Sequence, residues 1–290
     1  MTAEVTRFAP SPTGELHIGH ALAARVAHDL ARDSGGRFLL RMEDIDSVRC
    51  RPEYEQGICD DLRWLGLRWD GDVLRQSEHL PRYRAHLDDL AEAGLTYPCF
   101  CTRGEIAAEI AAMGAAPHGP DGPRYPGTCR QLDRAKRRER LSRGDAFAIR
   151  FDVDAALARV GATLHFEETG RGPTGERGVI DADPRAGGDI VLGRKDLGVS
   201  YHLAVVLDDD RQGVTLVTRG EDLFSATPVQ RLLQAVLGLR VPRYHHHLLL
   251  RDEAGRRLAK RDAARSLAAL RAAGESAAAV LARLPAAQVR

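Results

Sequence analysis

Lysine is almost missing from this 290-residue chain: of 42 basic side chains, only Lys136, Lys195 and Lys260 are lysine. With alanine and arginine so abundant, the shortage reads as a bias of composition, and it makes each lysine worth locating. Long apolar runs are missing too. None approaches the roughly 20 residues that a membrane-spanning helix needs, so no membrane partner is expected. Excess charge of one sign is missing: the net charge is +1. No overall field attracts nucleic acid, and any RNA-binding surface has to be a local patch. The N-terminus lacks the basic-then-apolar pattern of a secretion signal. Cysteine is sparse, and of the five residues Cys99, Cys101 and Cys129 cluster. That usage suits a reducing cytosol, and a metal better than disulfides. A cytoplasmic, globular protein with enough chain for a large core and two lobes is expected, a monomer by default.

What is present begins near the N-terminus, with Arg7-Phe8-Ala9-Pro10-Ser11-Pro12-Thr13-Gly14-Glu15-Leu16-His17-Ile18-Gly19-His20. Val5 to Phe8 reads as a strand, which Pro10, Pro12 and Gly14 stop. The apolar spacing of Leu16, Ala21, Leu22, Val26 and Leu30 then fits a helix. His17 and His20 therefore stand in its first turns, where free N–H groups and the positive dipole end attract phosphate. Imidazoles add donors, and Gly19 removes a side chain there. Gly35-Gly36 ends the helix and Arg37 to Arg41 reads as a second strand. The resulting βαβ unit implies a parallel sheet with its ligand beyond the strands' C-terminal ends.

Taken alone, a His-x-x-His pair is most often a pair of surface histidines. The fourteen residues from Arg7 to His20, however, closely resemble the signature of class I aminoacyl-tRNA synthetases, and of the glutamyl branch in particular. The resemblance implies an α/β fold, a Rossmann-like parallel sheet of the HIGH type with an inserted zinc-containing α+β subdomain. It implies that His17, Gly19 and His20 bind ATP, with both histidines catalytic. It also brings Arg7, Phe8, Ala9, Pro10 and Ser11 to the substrate glutamate.

Further motifs resemble the same branch. Arg41-Met42-Glu43-Asp44-Ile45-Asp46 matches a stretch whose glutamate touches the substrate amino acid, so Glu43 is the candidate acceptor for the α-ammonium. Arg7 is the complementary candidate for a carboxylate. Tyr201-His202-Leu203-Ala204-Val205-Val206-Leu207-Asp208-Asp209 has the apolar content of a strand, but the resemblance puts a helix over the active site there, with Tyr201 on the amino acid. Arg219-Gly220-Glu221-Asp222-Leu223 is another match, and implies that Arg219 binds the side-chain carboxylate. A cation at the base of a pocket makes an uncharged ligand costly. Arg257-Leu258-Ala259-Lys260-Arg261 stands where the class carries Lys-Met-Ser-Lys-Ser. Lys260 takes the place of the second lysine, which binds ATP and stabilises charge as the α-phosphorus is attacked. Arg257 keeps the charge of the first lysine, while Ala259 removes a hydroxyl.

Cys99-Phe100-Cys101 is followed by a Gly/Pro-rich loop and Cys129. Three thiols and one more donor can hold Zn²⁺ tetrahedrally, with His118 or Tyr125 as the fourth ligand. The spacing alone leaves liganded and plain thiols equally open. Short relatives of the branch, the glutamyl-Q tRNA(Asp) synthetases, can carry Cys-x-Cys and Tyr-x-x-x-Cys as a zinc site. That resemblance implies a structural zinc on Cys99, Cys101, Tyr125 and Cys129. Gln131 to Arg143 is strongly basic and reads mainly as a solvated helix face. Tyr244 to Leu250 contains His245, His246 and His247, which on a strand cannot converge on one metal.

The expected organisation is a catalytic half over 1–95, an inserted subdomain over 96–186, a second catalytic half over 187–247, and a loop with a short helical tail over 248–290. Asp189 to Leu192 is expected to return to the parallel sheet. The short tail, with no anticodon-reading region, matches the short relatives. They activate L-glutamate with ATP and Mg²⁺ and attach it to queuosine in tRNA(Asp). A truncated tRNA-charging enzyme and a non-enzymatic tRNA-binding module are the alternatives.

Overall fold

The computed structural model describes residues 2–112, 118–119, 122–195, 198–250 and 266–285. The first unit is the expected one: β1 (Val5–Phe8), α1 (Ile18–Asp33) and β2 (Arg37–Met42). β1 and β2 pair in parallel, from Val5 opposite Arg37 to Phe8 opposite Leu40. The face of α1 that meets the sheet is built largely from Ala21, Ala24, Ala27 and Ala31, all fully buried. Such small side chains let the helix approach closely, and Thr6 Oγ1 donates to the Ala27 carbonyl at 2.7 Å.

α2 (Pro52–Trp64) leads to β3 (Leu74–Arg75), which extends the sheet in parallel beyond β2, and then to α3 (Leu80–Glu92). The next segment contains β4 (Thr96–Cys99), α4 (Arg103–Ala112), the short β5 (His118–Gly119) and β6 (Gly122–Pro123), α5 (Arg134–Ser142), β7 (Ala148–Phe151) and α6 (Val153–Val160). β8 (Leu164–Glu168) and β9 (Gly178–Ala182) follow as an antiparallel pair, in a stretch rich in loop-forming residues.

β10 (Val191–Gly193) does not enter the parallel sheet as its sequence suggested. It pairs antiparallel with β7, in the three-stranded order β10-β7-β4. Three residues carry no signal of direction. The partner is chosen by contacts outside the strand: the Phe151 N–H donates to the Ile190 carbonyl at 2.9 Å, and Tyr97 Oη donates to Asp189 at 2.6 Å.

α7 (Tyr201–Arg211) is a helix, despite its run of valines. Every residue from Leu203 to Asp209 is buried, so no polar face marks a period of 3.6. β11 (Leu216–Gly220), α8 (Thr227–Leu237) and β12 (Arg243–His247) complete the second half. β11 and β12 are parallel, and β12 also takes β8 in parallel. The two groups of strands meet at β1 and β11: Val5 donates to Thr215 Oγ1 at 2.8 Å, and the Thr215 amide donates back to the Val5 carbonyl at 2.9 Å.

The chain then returns in α9 (Leu267–Ala272) and α10 (Ala277–Ala282). Leu267, Leu270, Val280 and Leu284 join the core formed by α1, β2 and α2. The Leu267 N–H donates to the Leu16 carbonyl at 2.8 Å, and Ser266 forms a bridge with His17. Among the described residues, no helix is long and apolar enough to cross a membrane.

Candidate active site

The C-terminal ends of β1, β2, β11 and β12 open on a cleft of about 370 Å³. Arg7, Phe8, Ala9, Pro10, Ser11, His17, Gly19, His20, Glu43, Tyr201 and Arg219 all line it. Of the site residues expected from the sequence, only Lys260, with Arg257 and Ala259, lies outside the described residues. The four proposed zinc ligands form a separate cluster.

His17 is the N-cap of α1. Its Nδ1 accepts the Gly19 N–H at 3.1 Å, and His20 Nδ1 accepts the His17 N–H at 3.1 Å. The two rings lie 3.8 Å apart between centroids. Because Nδ1 accepts in both, each neutral ring carries its proton on Nε2, which is therefore a donor. A Cβ on Gly19 would stand 2.9 Å from His17 Cε1. The missing side chain makes room for the capping ring itself.

Two arginines meet one carboxylate beneath the cleft. Arg7 Nε donates to Asp209 Oδ1 at 2.9 Å, and Arg41 Nη1 donates to the same oxygen at 2.8 Å. Burial pushes the Asp209 carboxyl up, but Arg7 and Arg41 outweigh it and hold the group below the usual carboxylate range. Arg7 Nη1 also donates to the Thr218 carbonyl at 2.9 Å, which ties β1 to β11. Glu43 stands 3.4 Å from Arg41 Nη2. Burial raises its carboxyl above the ordinary value, although Arg41 and Arg7 oppose the shift.

Arg219 is surrounded differently. Nε donates to His246 Nε2 at 3.0 Å, Nη1 to Gln230 Oε1 at 2.7 Å, and Nη2 to Thr227 Oγ1 at 2.7 Å. All three acceptors are neutral. Burial and the neighbouring Arg219 push the His246 imidazole down to about 2, so it carries no charge. Behind it, His246 Nδ1 lies 2.5 Å from Glu168 Oε2. Glu168 and His246 were given no role from the sequence, and no local signal marked them: they lie 78 residues apart and meet only because β8 packs beside β12. Arg41 and Asp209 lie within motifs that resemble the branch, and the oxygen they share with Arg7 gives each its role.

Cys99, Cys101 and Cys129 bring their sulfurs within 4.8 Å of one another. Tyr125 Oη lies 3.4 Å from Cys99 Sγ and 3.7 Å from Cys101 Sγ. Ligands at about 2.3 Å from a tetrahedral zinc stand roughly 3.8 Å apart, so this donor set fits the ion. The Phe100 N–H points at Cys129 Sγ at 3.4 Å, a donor suited to a thiolate. Burial pushes the Cys101 thiol up to about 12. Cys99 is held below the usual thiol range because the Tyr125 hydroxyl and Arg150 outweigh its burial. Lys195 Nζ donates to the Phe100 and Cys101 carbonyls at 3.1 and 3.2 Å, tying the thiol loop to the end of β10. Cys99, Cys101 and Cys129 thus form a group that can hold a metal.

The family described as class I tRNA synthetases (E and Q), catalytic domain, matches residues 4–285. The chain belongs to this family. Among curated relatives, the glutamyl-Q tRNA(Asp) synthetase of Rhodobacter capsulatus is 54% identical, over 94% of this chain and 96% of its own length. That of Nocardia farcinica is 47% identical, over 96% and 82%. Within class I, the synthetase therefore belongs to the glutamyl-Q tRNA(Asp) group. Among solved structures, the glutamate tRNA ligase of Elizabethkingia meningosepticum, in complex with its amino acid, superposes with a TM-score of 0.73 at 28% identity over 90% of this chain. The glutamate-tRNA synthetase of Elizabethkingia anophelis gives 0.74 at 28% identity. The synthetase spans about half the length of those two solved ligases, 52% and 53%. Like them, it has the Rossmann-like class I fold around a parallel sheet.

Proposed function

We propose that this synthetase activates L-glutamate with ATP and transfers the glutamyl group to queuosine in tRNA(Asp). The single observation that carries the amino-acid part is the setting of Arg219, a buried cation in the cleft whose direct partners are all neutral. Its positive charge awaits an anion, and a side-chain carboxylate supplies one. Glutamine brings no charge and leaves the guanidinium unpaired, which is costly at a buried site. Arg7 already has the carboxylate of Asp209. It offers its remaining N–H groups to the α-carboxylate from a fixed position. Glu43 accepts from the α-ammonium, which restores the charge that burial disfavours. Tyr201 lines the same cavity, and its hydroxyl donates to the amino acid.

In the first step a glutamate α-carboxylate oxygen attacks the α-phosphorus of ATP. The bond from that phosphorus to the bridging oxygen of the β-phosphate breaks, and pyrophosphate leaves. His17 and His20 donate from Nε2 to phosphate oxygens, beside the N-terminus of α1. Mg²⁺ accompanies ATP and offsets charge on the pyrophosphate. Lys260 adds an ammonium to the same phosphates. Leu250 lines the cleft and Ser266 bridges to His17, and these are the described residues that precede and follow Lys260 in sequence. In the second step a hydroxyl of the queuosine ring attacks the adenylate carbonyl carbon, and AMP leaves. Cys99, Cys101, Cys129 and Tyr125 would hold a structural zinc, which would fix the fold of the inserted segment. Arginines on the exposed α5 are candidates for phosphate contacts.

The test is transfer of labelled glutamate to tRNA(Asp) with and without queuosine, and to tRNA(Glu). Label on the modified RNA alone supports the reading; label on unmodified tRNA(Glu) instead would point to ordinary charging.

A further inference from the structure

Glu168, His246 and Arg219 form a chain of three side chains running from the core to the cleft wall. Glu168 and His246 side chains are fully buried. Glu168 Oε1 is committed to two backbone donors, the His246 N–H at 2.9 Å and the Gly170 N–H at 2.8 Å. Only Oε2 faces the imidazole, at 2.5 Å from Nδ1. A Cβ on Gly170 would lie 2.3 Å from the His246 carbonyl and 3.0 Å from Glu168 Oε1, so the close approach depends on glycine there. On its other side the imidazole meets Arg219 Nε, at 3.0 Å from Nε2. An arginine Nε can only donate. His246 Nε2 must therefore accept, and the ring proton must sit on Nδ1, where Glu168 accepts it.

We propose that Glu168 and His246 are positioning residues for amino-acid selection: Glu168 locks His246 in the Nδ1–H tautomer, so that a neutral acceptor holds the Arg219 fork without cancelling its charge. Of the five N–H donors of Arg219, three go to His246, Gln230 and Thr227. One remains on each terminal nitrogen, which is the number a carboxylate takes. If Glu168 touched Arg219 directly, it would supply the anion that the substrate is meant to bring. The imidazole separates the two, passing on orientation without passing on charge. Arg7 provides the contrast inside the same cleft, with Asp209 directly on its guanidinium.

Glu168→Gln tests this, because it keeps shape and reverses polarity. Its carbonyl oxygen is held by the two backbone donors, so its NH₂ faces His246 Nδ1. The imidazole must then move its proton to Nε2, and two donors confront each other at Arg219. The proposal rests on the glutamate-activating reading, so two measurements are needed. The first is the nitrogen NMR signature of His246 in the unaltered synthetase, which is independent of activity. A protonated Nδ1 and a bare Nε2 are expected; a protonated Nε2 overturns the proposal even if glutamate is activated.

The second is ATP–pyrophosphate exchange with glutamate and with glutamine. Glu168→Gln should raise KM for glutamate about tenfold or more and lower the preference for glutamate over glutamine to match, with KM for ATP and kcat changed less than about threefold. His246→Gln, which restores an acceptor near Arg219 Nε, should retain more of that preference than His246→Leu. Unchanged preference in folded Glu168→Gln, or equal losses for both amino acids and for ATP, overturns the positioning role. An unaltered synthetase that shows the expected tautomer but no exchange with glutamate overturns it as well, and by a different result from one that exchanges glutamate yet tolerates the substitution.

Discussion

Arg7 and Asp209, 202 residues apart in the chain, meet side-on in the floor of the cleft, with Nε on Oδ1 at 2.9 Å and Nη2 on Oδ2 at 3.4 Å. Arg41 shares the first of those oxygens. One carboxylate oxygen therefore accepts from two buried guanidiniums and joins β1, β2 and α7 beneath the cleft. Asp209→Asn leaves the Arg7 guanidinium without its carboxylate and Arg41 with Glu43 alone. A loss of roughly 3–5 kcal/mol in unfolding free energy is expected, by analogy with other broken buried pairs. Denaturant titration checks it, and exchange assays should show a raised KM for glutamate in whatever protein folds.

Arg219 gives the sharper functional expectation. Arg219→Gln removes the charge and keeps some hydrogen bonding. Activation of glutamate should fall by about a hundredfold or more in kcat/KM, while KM for ATP moves little. Steady-state kinetics on both substrates separates the two effects.

Metal content tests the thiol cluster. One zinc per chain is expected by elemental analysis of the purified protein. Cys129→Ser should lose the ion and lower thermal stability, with glutamate-dependent exchange reduced only as far as folding is, because the ligands lie outside the cleft.

Stability should fall in mild acid through His245, which is 5% exposed and bonded to Thr169 at 3.2 Å. Burial pushes its imidazole down from 6.5 to about 4. On lowering the pH through 6.5, the unfolded chain takes the proton first, so this contribution is complete above 6.5 and is lost toward 4. The loss is on the order of 3 kcal/mol. His245→Asn should flatten the curve over that interval in denaturant titrations at a series of pH values.

Asp61 works in the opposite direction. Burial raises its carboxyl from 3.8 to about 6, with Arg271 at 3.4 Å offsetting part of the shift. Here the folded state holds the proton longer, so stability declines as pH rises from 3.8 to about 6. Asp61→Asn should stabilise the protein above pH 7 by on the order of 3 kcal/mol and leave it nearly unchanged near pH 4. Thermal melts at those two pH values give the comparison.

Much of the cleft was legible because its parts are local. The strand, turn and helix from Val5 onward are written in proline, glycine and apolar spacing, and the histidine pair falls at the helix start for the same reason. α7 was not legible from its own residues, since a helix buried on all sides shows no amphipathic period; the resemblance supplied it. β10 was misplaced because three residues say nothing about direction. Glu168 was hidden most deeply. Its strand sits in a stretch rich in turn residues, and its meaning depends on a histidine 78 positions later that is itself one of three in a row. Pairing across β8 and β12 is a property of the folded sheet, and no window of sequence contains it.

The most direct test of the central claim, that this cleft selects and activates an acidic amino acid, is ATP–pyrophosphate exchange by metal-replete protein without RNA. Exchange that depends on L-glutamate and is at least about a hundredfold weaker with L-glutamine is the expected result. No exchange with glutamate, or equal exchange with both amino acids, would contradict it.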